Sequence, residues 1–390
     1  MPTLLIDITR LLGRLLKGRL ATGVDRVDLA YVAHYGHRAR AVVRVQGRSV
    51  ALSMRASQAV FEQLVAQREA LPWSIGMRVL RGALAGGGEA PLAGSLVFNT
   101  GHSGLHQPAY AKQLRAQGLR PVFMVHDLIP ITHHEYCRAG ERERHMQRMD
   151  TVLDTAAGVV TNSQSTLGEL ARYAQQRGKP MPPAQCALLA PGLPHLTPGP
   201  RPIAEPYFVV LGTIEPRKNH WMLLQVWRRL VERLGPEAAP RLVVIGQRGW
   251  ECENVVDLLE RCEPLRGVVV EQASCTDAGL TTWLHHAQAL LFPSFVEGYG
   301  LPMVEALMLG TPVIASDLAV FRELASDIPD FVDPLDGPGW MDRIERYAAP
   351  GSPLRAAQVA RMVGYAPPTW ASHFAAVDAL LERLHGHGSD

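Results

Sequence analysis

Aromatic residues are scarce in this chain, at 6% of its 390 positions, too few for the ring-stacking platforms that grip single-stranded nucleic acid. No nucleic-acid partner is expected. Cysteine is scarcer still. Cys137, Cys186, Cys252, Cys262 and Cys275 are odd in number and show no Cys-x-x-Cys spacing. That excludes a disulfide framework and fits a reducing compartment. No apolar run reaches the 18 or so residues that a membrane-spanning helix needs. The opening MPTLLIDITRLLGRLLKGRL carries Asp7 and Arg10 where a signal peptide would have its apolar core, so the expected location is cytoplasmic. Net charge is also small, +2.

What is present is a globular composition, 47% hydrophobic and 19% charged, in a chain long enough for two or three domains. The charge is unevenly spread. Residues 1–200 hold 23 Lys+Arg against 13 Asp+Glu, a balance of +10, and the remainder holds 16 against 24, a balance of −8. Long helices can distribute charge in this way. Alternatively, a basic domain meets an anionic acceptor or an anionic membrane surface, peripherally at the inner face of the cell membrane. The Leu11–Leu20 run, with Arg14, Lys17 and Arg19 among its leucines, is either an interfacial contact or a segment packed on the first sheet.

Proline marks the boundary: nine fall between Pro180 and Pro206, which resists helix and reads as a semi-rigid connector. Upstream, short apolar runs predict strands at Thr3–Asp7, Ala41–Val45, Ser95–Asn99, Pro121–His126 and Gly158–Asn162. Helical patterns lie between them at Val24–Gly36, Ser57–Leu71, Ser103–Gly118, Glu141–Ala157 and Ser163–Arg177. Downstream, strands are expected at Tyr207–Gly212, Arg241–Gly246, Gly267–Val270, Ala289–Pro293 and Thr311–Ala315, again alternating with helices. Such alternation means parallel sheets with helices on both faces. The expected fold is α/β: a first doubly wound domain over 1–185, a linker over 186–206 and a second domain over 207–368. A last helix, 369–386, is free to complete either. Ligands of such sheets lie beyond the carboxyl ends of the strands, so two of them facing each other would make an interdomain cleft.

Two segments carry chemistry. In Phe292-Pro-Ser-Phe-Val-Glu297-Gly298-Tyr299-Gly300-Leu301-Pro302-Met-Val-Glu305-Ala, a strand runs into a glycine-bearing loop and then a helix started by Pro302. Backbone N–H groups at such a helix start seat a phosphate or diphosphate. On one straight helix Glu297 and Glu305 would stand about 12 Å apart, too far for the carboxylate pair of a retaining hydrolase. They suit two parts of one elongated ligand. In Tyr207-Phe-Val-Val-Leu-Gly212-Thr213-Ile-Glu215-Pro216-Arg217-Lys218-Asn219, a buried strand meets a glycine turn and two adjacent cations. An Arg fork beside a Lys point charge suits a diphosphate leaving group.

Together these segments resemble the retaining glycosyltransferases of the GT4 family, whose GT-B fold sets two Rossmann-like domains face to face across a cleft. Glu297 and Glu305 match the family's E-x7-E motif, and EPRKN matches its donor-phosphate loop. The likeness is strong over about residues 205–325. Upstream it is weaker, in Thr22-Gly23-Val24-Asp25-Arg26 and in Val125-His126-Asp127-Leu128-Ile129-Pro130. Gly192 falls where the family enters its interdomain linker.

The resemblance implies a nucleotide-sugar donor and a glycan or lipid-linked acceptor. Glu297 would bond hydroxyls of the donor sugar and Glu305 the ribose, while Arg217 and Lys218 neutralise the diphosphate. His126 would line the sugar site from the first domain, and Gly23 would let its first loop approach the substrates. Gly212, Gly298, Tyr299, Gly300 and Leu301 would complete the donor seat. Many relatives have Arg after the glycine matching Gly212, whereas Thr213 stands here, which concentrates the phosphate charge on Arg217 and Lys218. The wording around EPRKN resembles bacterial mannosyl and surface-polysaccharide transferases, which favours a GDP sugar. No Asp-x-Asp is present, and His133–His134 and His285–His286 are adjacent pairs that diverge by about 100° on a helix. No metal and no cofactor are expected. The alternatives are a GT-B nucleotide-sugar epimerase or a non-catalytic two-lobed sugar-binding protein.

Overall fold

In a computed structural model of the chain, residues 4–17, 23–45, 48–66 and 92–386 are described. Arg19 and Thr22, and the end of the helix expected to reach Leu71, lie outside the described residues. The chain divides into two units: residues 1–132, 139–190 and 369–390 form the first, and residues 133–138 and 191–368 the second.

The first unit is built on seven strands: β1 (Leu4–Asp7), β2 (Ala39–Val45), β3 (Arg48–Ala51), β4 (Leu96–Asn99), β5 (Arg120–Val125), β6 (Gly158–Thr161) and β7 (Ala184–Cys186). Their order is β3-β2-β1-β4-β5-β6-β7, parallel except for β3, which pairs antiparallel with β2. Continuous burial of β1, β4 and β6 matches their unbroken apolar sequences, as expected where both sheet faces are covered. Chain order reverses between β1 and β4. The C-terminal helix Trp370–Gly386 belongs to this unit. Tyr35 donates to Asp378 at 2.9 Å, His373 and Tyr31 meet at 3.1 Å, and Arg120 donates to the Leu384 carbonyl at 2.7 Å.

The second unit holds β8 (Tyr207–Leu211), β9 (Arg241–Ile245), β10 (Val269–Gln272), β11 (Leu290–Phe292), β12 (Val313–Ser316) and β13 (Asp330–Val332). The order β10-β9-β8-β11-β12-β13 is parallel throughout, with its reversal between β8 and β11. Trp227 and Trp340 are fully buried in the core on one face.

The proline-rich stretch, expected as a semi-rigid connector, opens with β7 as an edge strand of the first sheet, and residues from Pro191 onward belong to the second unit. The helix expected over Ser103–Gly118 is only Pro108–Ala116, because Gly104 turns the chain at φ +73° and Pro108 sets the first turn. The Leu11–Leu20 run starts as a helix, Thr9–Leu15, whose Leu11 and Leu12 are buried and whose Arg14 is paired with buried Asp25 at 2.7 Å. The packed alternative describes that part of it. Among the described residues, no helix is long and apolar enough to cross a membrane.

Candidate functional site

Because β8 and β11 flank the reversal of strand order, the loops leaving their carboxyl ends are neighbours, and open α/β sheets bind ligands at this place. The two chemistry-bearing segments are those loops. After β8 the chain turns at Gly212, then forms a single short turn, Pro216–Lys218, ended by Asn219 in the left-handed region at φ +56°. Asn219 holds that conformation while its side chain donates to the Pro334 carbonyl at 2.8 Å. The turn aims Arg217 and Lys218 at Glu297, in the loop after β11.

Arg217 donates to Glu297 Oε2 at 2.7 Å and Lys218 to Glu297 Oε1 at 2.5 Å, while Ser294 donates to the same Oε1 at 2.7 Å. Arg217 also pairs with buried Glu215 at 2.7 Å, and its carbonyl accepts from the Phe295 amide at 2.9 Å. Burial by itself would raise the pKa of Glu297, but Arg217 and Lys218 outweigh it and hold the carboxyl at about 2. Burial lowers that of Lys218 and raises that of Glu215. The result is a compact two-cation, two-carboxylate cluster. Beneath it His220 is buried, with neither ring nitrogen hydrogen-bonded, and burial plus Lys218 holds it neutral, near 3.

Glycines let the backbones close around this cluster. A Cβ on Gly246 (φ +154°) would lie 2.0 Å from the Gly212 carbonyl oxygen. One on Gly300 (φ +133°) would lie 2.9 Å from the Phe321 ring. Gly300 leads directly into the helix Leu301–Met308, and no side chain caps that helix. Gly298 and Tyr299 lie in the same loop, with Tyr299 buried. Glu305 does not join Glu297: it is buried one turn into the helix and accepts from the Gly192 amide at 3.0 Å. Its carboxylate therefore anchors the segment that follows β7.

His126 and Gly23 lie in the first unit. Gly23 opens the helix Gly23–Tyr35. His126, at the end of β5, is buried and donates from Nε2 to the Thr100 carbonyl at 2.6 Å. Burial lowers its pKa. It lines a cavity of about 430 Å³ that also touches Arg10, His102, Asp127, His145 and Arg148. Sequence reasoning gave none of these five a role. The His126-Asp127 dipeptide was the available signal for Asp127, whose side chain accepts from the Ile129 amide at 3.1 Å. Glu215 and Ser294 were also missed as site residues, though both lie inside the quoted segments. His286 bonds the Gly199 carbonyl at 2.9 Å, a structural contact. Among the described residues, no group of three or more His, Cys, Asp or Glu is placed to hold a metal ion.

Residues 205–348 match the family described as Glycosyl transferases group 1. O-antigen chain mannosyltransferase B of Escherichia coli is 28% identical over 225 residues, covering 56% of this chain and 58% of that protein. The serotype-specific mannosyltransferase WbdA of Escherichia coli is 26% identical over 235 residues, 55% of this chain and 28% of that protein. The chain thus matches between about a quarter and three fifths of these relatives' lengths. Among solved structures, Anabaena HepE in complex with UDP and glucose aligns at TM-score 0.67 and 13% identity, over 98% of this chain and 100% of that one. Sucrose-phosphate synthase from Thermosynechococcus elongatus aligns at TM-score 0.59 and 18% identity, over 82% and 80%. The matched span starts just before β8 and encloses the whole Arg217–Lys218–Glu297 cluster. Residues 205–348 thus form a group 1 glycosyltransferase domain, set in a chain of GT-B fold.

Proposed function

We propose that the chain is a retaining glycosyltransferase that moves a sugar from a nucleotide donor to a glycan or lipid-linked acceptor in bacterial surface-polysaccharide assembly. Mannose or a related sugar is the preferred group transferred, in line with the mannosyltransferase relatives, and a GDP donor is the preferred source on the wording around EPRKN. The observation that carries the reading is the placement of Arg217 and Lys218 on one buried carboxylate, at the carboxyl ends of β8 and β11. Both cations are held in position before any ligand arrives. A diphosphate entering there meets preoriented donors in a site of low dielectric, where stabilising a departing charge has most effect. Glu297 then has the donor sugar's hydroxyls within its chemical repertoire, as an acceptor that stays ionised. The first unit holds the acceptor, with His126 at the sugar. The two cations take the place of a divalent ion, so neither metal nor cofactor is required and EDTA should leave turnover unchanged. The expected location is cytoplasmic, with peripheral contact at the inner face of the membrane.

Thermal-shift titration with GDP, UDP and ADP tests the reading, since ligand that binds only the native state raises Tm. GDP should give the largest shift. No shift with any of the three would sink the donor site, and a larger shift with UDP would reassign the base.

A further inference from the structure

His126 is tied to two buried residues outside the donor cluster. Thr100 follows β4 and Asp28 lies on the helix Gly23–Tyr35. The Thr100 hydroxyl donates to Asp28 Oδ1 at 2.5 Å, and the Thr100 carbonyl accepts from His126 Nε2 at 2.6 Å. One residue thus joins the carboxyl group to the imidazole, through its side chain to the first and its backbone to the second. The backbone there is tightly seated. A Cβ on Gly101 would lie 2.9 Å from Asp28 Oδ2 and 2.6 Å from Arg10 Cδ. Asn99 closes the same turn by donating to the Ser103 carbonyl at 2.9 Å, and the Asn162 side chain donates to the His126 carbonyl at 2.9 Å.

A carbonyl oxygen can only accept, so Nε2 carries the ring proton. Burial keeps the ring neutral by lowering its pKa, which leaves Nδ1 as a bare acceptor. A buried carboxyl group on a helix costs stability that an apolar side chain in its place would not. What Asp28 secures in exchange is the position of Thr100. We propose that Asp28 and Thr100 are positioning residues for His126: through the Thr100 carbonyl they fix the ring proton on Nε2, so that His126 meets a substrate as the acceptor of a hydroxyl hydrogen bond. The proposal rests on the reading of His126 as a sugar-binding group of a transferase. It assigns the hydrogen bond, not the charge, of Asp28, since a carboxylate, carboxyl or amide oxygen can each accept from the Thr100 hydroxyl.

Nitrogen–proton correlation spectra of the full chain, isotope-labelled on its histidine rings, test it. The His126 signals, identified by their loss in His126→Gln, should show the proton on Nε2 alone. Thr100→Val keeps the carbonyl and removes the hydroxyl, and Asp28→Leu removes the oxygen that accepts from it. Both should give a mixture of tautomers, while Asp28→Asn, which keeps an oxygen for Thr100, should match the parent. In calorimetric titrations GDP-mannose should bind Thr100→Val and Asp28→Leu about fivefold more weakly, the worth of one hydrogen bond. GDP alone should bind them unchanged, and Asp28→Asn should again match the parent. Thr100→Val decides the matter if Asp28→Leu fails to fold. An unchanged tautomer in Thr100→Val overturns the proposal, as does undiminished binding of GDP-mannose that the parent binds. Asp28→Asn behaving like Asp28→Leu also overturns it, by making the charge the effective feature. Equal losses of GDP and GDP-mannose binding overturn it by showing general damage. If the tautomer responds as expected while the parent chain binds neither GDP nor GDP-mannose, the positioning pair stands and the transferase reading falls.

Discussion

At the reversal of strand order in the second unit, two cations share their charge with two buried carboxylates, Arg217 with Glu215 and Glu297, and Lys218 with Glu297. Near the corresponding reversal in the first unit, between β1 and β4, Arg10 has Asp25 at 3.0 Å, while Arg148, on the helix Glu141–Thr155, has Glu141 at 3.7 Å, the His145 ring at 3.5 Å and a buried Nε without a hydrogen-bond partner. One topology thus carries two electrostatic designs. The second-unit cations are fixed by close internal counter-ions and stand ready without ligand, while Arg148 of the first unit is held by a longer ion pair and keeps a buried Nε–H without a hydrogen-bond partner. Breaking a buried pair by removing one partner leaves an uncompensated charge. Removing a loosely paired, partly solvated cation does not.

The largest effect should follow from that difference. Lys218→Ala deprives buried Glu297 of one of its two cations, and stability should fall by about 3 kcal/mol, the low end for a broken buried pair because Arg217 remains. Turnover should drop by about 10- to 100-fold, the equivalent of roughly 1.5–3 kcal/mol of lost charge-assisted contact. Arg217→Ala should lower turnover similarly. Arg148→Met should cost no more than about 1 kcal/mol of stability. Urea denaturation of the variants compares them directly, and equal losses in Lys218→Ala and Arg148→Met would erase the distinction between the two designs.

Acid and alkali should then act on the two units with opposite sign. Glu297 titrates at about 2 in the folded chain and near 4.5 when unfolded, so its stabilising contribution is complete above pH 4.5. It is lost as pH falls toward 2, and amounts to about 3 kcal/mol for a shift of that size. Glu297→Gln should flatten that acid limb. In the first unit, Asp28 is raised to about 7 by burial, against the opposing effects of the Thr100 hydroxyl and Arg10. Its protonated form favours the folded state below pH 4, and that contribution is lost as pH rises through 7. Asp28→Asn should therefore flatten the slope between pH 4 and 7 and leave the acid limb alone. Stability measured against pH for both variants checks the pair, and a shared slope change would contradict the assignment.

The parallel strands were readable because strands covered on both faces are continuous apolar runs, as in Tyr207–Leu211 and Arg241–Ile245. The edges were not. Arg48–Ala51, Ala184–Cys186 and Asp330–Val332 are short, part-polar strands, and the helices Gly337–Ala348 and Pro353–Arg361 begin in proline and glycine signals that resemble loops. The donor cations and Glu297 were legible because each lies in a dense local motif. That Glu297 is the carboxylate both cations share was not, since about 80 residues of sequence separate the partners. The first-unit cavity was still less legible, being lined from five separate segments of the chain.

The two reversals also differ in how tightly their backbones close. Gly246→Ala sets a methyl 2.0 Å from the Gly212 carbonyl, a backbone atom beside the donor loop. The strain should cost about 2–3 kcal/mol and weaken nucleotide binding. Gly104 of the first unit also has positive φ, +73°, but its methyl would meet the guanidinium of Arg44, the far end of a flexible side chain. Gly104→Ala should cost nearer 1 kcal/mol. Melting curves with and without GDP separate the two, and a GDP response altered by Gly104→Ala but not by Gly246→Ala would reverse the assignment of sites.

The smallest expected effect concerns the basic half at a membrane. Each cation near an anionic bilayer contributes about 1 kcal/mol, provided its charge is available. Arg14 is spoken for by Asp25 at 2.7 Å, and Leu11 and Leu12 are buried, whereas Leu16 and Lys17 are exposed. On phosphatidylglycerol vesicles at low salt, Lys17→Ala should therefore weaken binding by about fivefold, the equivalent of that 1 kcal/mol, and Arg14→Ala by less. Binding of the parent chain should fade as salt shortens the Debye length to about 8 Å at physiological strength. Phosphatidylcholine vesicles should not bind. A larger loss from Arg14→Ala than from Lys17→Ala would mean that the Asp25 pair opens at the surface and that the first helix leaves the sheet to reach the lipid. Salt-insensitive binding to both kinds of vesicle would replace charge by insertion of leucines as the source of membrane contact.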